Sequence, residues 1–199
     1  MKAALSSTAD SIAAIALRLL ERRGPDAVTM RAVAAAAKVT PMAIYHHFAN
    51  RDALLQQITD QEFDRLHDAM QARLAKLAGS RNYRAKLTEL MQGYIDYALE
   101  RPHVFDFVFS RERPGARKYP EDFHARRSPT LNVLADTLAD GMQAGVLAKA
   151  DVWEIAMQFW ALVHGYVALY RASRFELSPK AFRELCDRSI DRLFDGLCK

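Results

Sequence analysis

VTMRAVAAAAKVTPMAIYHHFANRDALL, residues 28–55, decides how the rest of the chain is read. Thr29 is a good N-cap for a short helix that carries Met30, Val33, Ala34 and Ala37 on one face. A break falls at Lys38-Val39. Thr40 then caps another short helix, with Pro41 at the first helical position, where its missing N–H costs nothing. That helix is expected to run to about His47, and Asn50 caps a longer one from about Arg51 to Leu77. Ile44 and Phe48, four apart, turn inward, which leaves Thr40, Pro41, Met42, Tyr45 and His46 facing outward. Two short helices joined by a tight turn, the second polar on one side, have the proportions of a helix-turn-helix. An outward Pro-Met-Tyr-His set is a poor core and a plausible surface for a DNA groove. The competing reading is a helical hairpin that only packs.

Helical periodicity continues on both sides. Ile12, Ile15, Ala16, Leu19 and Leu20 predict a helix from about Thr8 to Arg23, stopped by Gly24-Pro25. After Gly79-Ser80, a helix carries Leu87, Leu90, Met91, Tyr94 and Tyr97 on one side. Pro102 ends or restarts it, and His103 to Ser110 reads as a short aromatic helix. Residues 111–124, with Pro114, Gly115 and Pro120, read as a loop. A helix from about Ala125 to Ala144 follows, with Pro129 arguing for a later start. Asp151 caps an apolar helix to about Ala172, and Ser178-Pro179 opens the last one, ending near Gly196. The expectation is an all-α chain of about nine helices. Its domains are residues 1–53, a helix-turn-helix domain, and 54–199, a larger helical domain.

The 199 residues are half hydrophobic, enough for a packed core, with few Gly and Pro. The net charge of +4 is modest, but residues 1–53 hold seven Lys/Arg against four Asp/Glu, and the remainder is nearly balanced. A phosphate-facing N-terminal surface fits that distribution. Met1 to Ser11 has no continuous apolar block, which argues against a signal peptide, and no run is long enough to span a bilayer. Cys186 and Cys198, both expected on the last helix, read as reduced thiols of a cytoplasmic protein. There is no Gly-rich phosphate loop, no metal-ligand cluster and no nucleophile motif, so neither an enzyme nor a cofactor is expected.

Val28 through Leu55 resembles the DNA-binding signature of TetR-family regulators. The matching features are Thr29, Ala34-Ala35, Val39-Thr40, Ile44-Tyr45-x-His47-Phe48 and Asn50-Arg51-x-x-Leu54. The resemblance implies a transcriptional regulator that binds palindromic operator DNA as a homodimer, with a bias toward repression. It carries phosphate contact to Thr29, Tyr45, His47 and Arg51, and base approach to Arg31, Pro41, Met42 and His46. Tyr45 has a second reading as a partly buried ring, His46 and His47 as solvated surface, and Arg51 as a helix cap. Lys38 departs from the usual Gly, whose freedom to take positive φ suits the turn. Its ammonium and the N–H groups at the Thr40 helix start are expected to meet phosphates. With Pro41, Met42 and Ala43 at its start, the reading helix is poor in donors, which shifts specificity toward Arg31, methyl contacts and DNA shape.

The helix from Asp151 to Ala172 is apolar nearly all round and must be covered on several sides. The last helix has a stripe of Phe182, Leu185, Cys186, Ser189, Leu193 and Leu197. Two such helices per chain imply the four-helix dimer interface of the family, with Val167 and Leu193 as expected interface positions. Trp160-x-x-x-His164-Gly165 and Pro102-x-x-Phe105-x-x-Val108-Phe109 resemble one TetR C-terminal subgroup. The family implies an effector pocket, for which Met91, Tyr94, Phe105, Phe109, Met157, Trp160 and His164 are the candidate lining. Aromatic and Met side chains at helical spacing are more often ordinary core, which is the competing reading of each. An unidentified small molecule, largely apolar or aromatic, is the expected effector. The basic segment with Arg111, Arg113, Arg117, Lys118, Arg126 and Arg127 reads as a solvated connection. The alternative function is a helical protein-interaction module without sequence-specific DNA binding.

Overall fold

The computed structural model describes residues 8–112 and 115–198. Expectations resting on Arg113, Pro114 and the first seven residues lie outside them. Among the described residues there are ten α-helices and no strand, which makes the chain all-α. The tenth helix is α7, Glu121–His124, four residues within the stretch expected to be a loop. The chain forms two compact units. The first runs to Phe63 and includes Glu100–Ala116, and the second takes Asp64–Leu99 and the chain from Arg117 onward.

In the first unit α1, Thr8–Arg23, buries Ile12, Ala13, Ala16, Leu17 and Leu20 and packs on α2 and α6. Gly24, at φ 77°, turns the chain into a single 3-10 turn, Pro25–Ala27. The Thr29 hydroxyl oxygen accepts the Ala32 N–H at 3.1 Å and starts α2, Met30–Ala37. The helix ends in a Schellman arrangement, with Val39 N–H bonded to the Ala34 carbonyl and Lys38 N–H to Ala35. Thr40 repeats the cap on Ala43 N–H at 3.3 Å for α3, Pro41–Tyr45. Asn50 Oδ1 accepts the Ala53 N–H at 2.8 Å and starts α4, Arg51–Ala75. Helix α6, Pro102–Phe105, continues as one π turn, Asp106–Ser110. There Phe109 lies 5.4 Å, centroid to centroid, from both Phe105 and Phe63.

The second unit contains most of α5, Tyr83–Glu100, together with α7, α8, Pro129–Gln143, α9, Val152–Arg171, and α10, Pro179–Asp195. Pro129 is the first residue of α8, so the later of the two expected starts holds. Asp151 accepts the N–H groups of Trp153 and Glu154 and caps α9, which packs between α8 and α10. The buried face of α10 is Phe182, Cys186, Ser189, Ile190 and Phe194. Leu185, Leu193 and Leu197 of the expected stripe are only half-buried. Cys198 lies beyond α10, where it bridges Leu147, so the two cysteines do not share a helix. Arg84 pairs with Asp191 and Asp195, and Arg183 with Asp96, tying α5 to α10.

Candidate nucleic-acid interface

The two threonine caps set the geometry of the first unit's outer face. Capping uses an oxygen lone pair and leaves the hydroxyl hydrogen free to donate outward. Behind α2 and α3, Val33 and Ile44 are fully buried and Phe48 nearly so. That fixes the opposite side of α3 in solvent. Met42 is 66% exposed, Tyr45 48% and Val39, in the turn, 44%. Thr29, Arg31, Lys38, Thr40, Pro41, His46 and His47 are exposed as well. Nine of the ten residues expected to meet DNA are therefore presented on the surface of this unit.

Arg51 is the tenth and differs. Its Nε donates to the Val28 carbonyl and its Nη2 to that of Pro25, both at 2.6 Å. These bonds pin the start of α4 to the turn that precedes α2. The guanidinium thus holds the two elements together and still has N–H groups to donate elsewhere. Lys38 takes φ 57° and ψ 40°, the left-handed conformation that a Gly would adopt more easily.

A residue missed from sequence is Arg101, between α5 and α6. Its guanidinium donates to Glu21 of α1 and to Glu62 of α4, and the Glu62 side chain is completely buried. The three residues lie 39 to 80 positions apart and form no local pattern. The same unit has a groove of about 510 Å³, bordered by Asn50, Leu55, Gln56, Thr59, Phe107 and Gly115. None of the seven residues expected to contact an effector borders it.

Those seven fall in both units. Phe105 and Phe109 belong to the aromatic cluster with Phe63 in the first. In the second, Tyr94, Trp160 and His164 are brought together by hydrogen bonds. The indole N–H of Trp160 donates to the Tyr94 oxygen at 3.0 Å, and that oxygen lies 2.9 Å from His164 Nδ1. Trp160 can only donate, so the assignment that uses every hydrogen has the phenol donating to Nδ1. Burial pushes the Tyr94 phenol well above its ordinary range, and it stays neutral. Phe123 of α7 adds its ring 6.3 Å from Trp160; it was missed because its helix has a single turn. Met91 is buried on α5 and Met157 half-buried on α9.

The family models agree with both halves of this description. Residues 12–58 match the model for bacterial regulatory proteins of the tetR family, and residues 87–193 match the tetracyclin repressor-like C-terminal domain. A solved protein of unknown function from Rhodococcus sp. RHA1 is similar at 25% identity and a TM-score of 0.81, over 97% of this chain and 96% of that one. A TetR-family transcriptional regulator from Pectobacterium atrosepticum is similar at 20% identity and 0.69, over 96% and 94%. The TetR-family regulator PfmR from Thermus thermophilus is similar at 20% and 0.65, over 98% and 100%. Among curated proteins, none matches this sequence.

Proposed function

The chain belongs to the TetR family of bacterial regulatory proteins, and from that premise we propose that it is a repressor released from a palindromic operator by a small, largely apolar or aromatic molecule. It is a TetR-type DNA-binding transcriptional regulator, not an enzyme and not merely a helical interaction module. The observation that carries the proposal is the outward face of α2, the turn and α3, held by two threonine caps and rimmed by Arg31 and Lys38. Residues 1–53 act as the DNA-binding domain and residues 54–199 as the ligand-binding and dimerisation domain. Thr29, Lys38, Thr40, Tyr45, His47 and Arg51 face phosphates, while Arg31, Pro41, Met42 and His46 approach bases. Work on an operator puts the protein in the cytoplasm. No helix of the described residues is long and apolar enough to cross a membrane.

The effector is proposed to act through Met91, Tyr94, Met157, Trp160 and His164 of the second unit, Phe105 and Phe109 belonging to the aromatic cluster of the first. The motif Trp160-x-x-x-His164-Gly165 supports membership of the subgroup that carries it. The Trp160–Tyr94–His164 chain offers one polar anchor among rings, and a ligand with a single polar group could join or replace it. Selection of bound duplexes from a random library tests the operator. A palindromic consensus is expected, with log K falling about 0.9 per neutralised phosphate against log salt. Arg31→Ala should relax the preference at one base position, by roughly 1–3 kcal/mol. Equal loss on every duplex would remove Arg31 as a base reader.

A further inference from the structure

Six large hydrophobic side chains are exposed among the described residues, and three of them, Val39, Met42 and Tyr45, fall within seven positions on the turn and α3. The caps and the buried Ile44 and Phe48 hold these three outward, so their exposure is built into the fold. They share one surface with Pro41 and with Thr40, whose oxygen accepts from Ala43 N–H and whose hydroxyl hydrogen is left for a phosphate. Base-edge donors near this patch are few: Arg31 and His46, the Tyr45 hydroxyl being turned to a phosphate. A helix of about 10–12 Å diameter fits a major groove about 12 Å wide. In that groove the one apolar group among the four bases is the thymine C5-methyl. Lys38 is exposed beside the patch and complements a flanking phosphate, which favours DNA over an apolar protein partner.

We infer that the protein reads thymine methyl groups in its operator by covering them with Val39 and Met42, beside the base contact of Arg31, the Tyr45 ring closing the side of the patch. The inference rests on the operator binding proposed above and names what that surface reads. Burying a methyl is worth about 0.8 kcal/mol, a factor of roughly four.

The test starts from a duplex enriched by the wild-type chain. Each thymine in one half-site is replaced in turn by deoxyuridine, which keeps pairing and the O4 acceptor and removes only the methyl. At one or more positions the wild type should bind the uracil duplex roughly fourfold more weakly. Met42→Ala or Val39→Ala should bind thymine and uracil duplexes equally at the position concerned. Both residues lie at the surface, and circular dichroism checks that the variants remain folded. Enrichment of a sequence with no uracil effect overturns the inference and leaves operator binding standing. A uracil effect of equal size in wild type and both variants also overturns it. Failure to enrich any duplex overturns operator binding and the inference with it.

Discussion

Lys38 holds the turn in a left-handed conformation that costs an L-residue roughly 1–2 kcal/mol. Glycine would relieve that cost and lose about 0.5–1 kcal/mol of it to unfolded-chain entropy. Lys38→Gly should therefore stabilise the fold by up to about 1 kcal/mol in denaturant melts. The same variant should weaken binding to random duplex and flatten the salt dependence, because an ammonium beside the backbone is removed. Stabilisation without a change in salt slope would show that Lys38 does not touch DNA. Buried Cys186 gives a second residue-scale prediction. Burial pushes its thiol from about 9 to about 12, with Asp187 adding to the rise and Arg183 opposing it. A raised folded value favours the protonated form, so its contribution is whole below about pH 9 and is lost as pH climbs toward 12. The raised Tyr94 phenol works in the same direction. The melting temperature should fall above about pH 9, less steeply in Cys186→Ala. In the native protein an aromatic disulfide reagent should modify exposed Cys198 well before Cys186.

Arg101 joins three helices of the first unit by sharing its guanidinium between Glu21 and buried Glu62. Removing one partner of a buried pair typically costs about 3–5 kcal/mol, because a carboxylate is left without its cation in a poor solvent. Arg101→Ala should approach that cost in equilibrium unfolding. The Arg101→Met/Glu62→Met double variant should recover much of it, since apolar groups of similar size replace both charges. If the double variant is no more stable than the single, the pair is not what the helices depend on. Nothing in the sequence pointed to this cluster, and the reason is physical. Caps, turn residues and helical periodicity act within a few positions, so Thr29, Thr40, Asn50 and the Ile44/Phe48 face could be read directly. A guanidinium bridging residues 39 and 80 positions away leaves no local trace. The same limit hid α7, whose single turn has no periodicity to detect. It also explains why α9 read as apolar all round without revealing which side lies inside.

Assembly is where that last ambiguity matters. Val167, expected at a subunit interface, is fully buried within the chain itself. Placing Asp there would therefore test folding and say nothing about dimers. The side of α9 left open carries Gln158, Ala161, Ala168 and Leu169 as exposed positions, with Leu162 and Gly165 half-buried beside them. Leu169 is 48% exposed, and a Cβ added at Gly165 would meet nothing within 4 Å. These positions recur every three or four residues and, Gln158 apart, form one apolar stripe; Leu185 and Leu193 are half-buried on α10, which packs on α9. In a two-fold dimer each stripe would meet its own copy, and small residues would let the helices approach closely. Leu169→Asp should leave the monomer's circular dichroism and melting cooperativity intact, because the side chain already faces solvent. It should shift sedimentation toward the monomer at micromolar concentration, since two carboxylates would be buried together. Binding to a full palindrome should then fall toward that of a single half-site, as two reading helices no longer arrive linked about one helical turn apart. A Leu169→Asp protein that still sediments as the wild-type dimer would place the interface on another face of the chain.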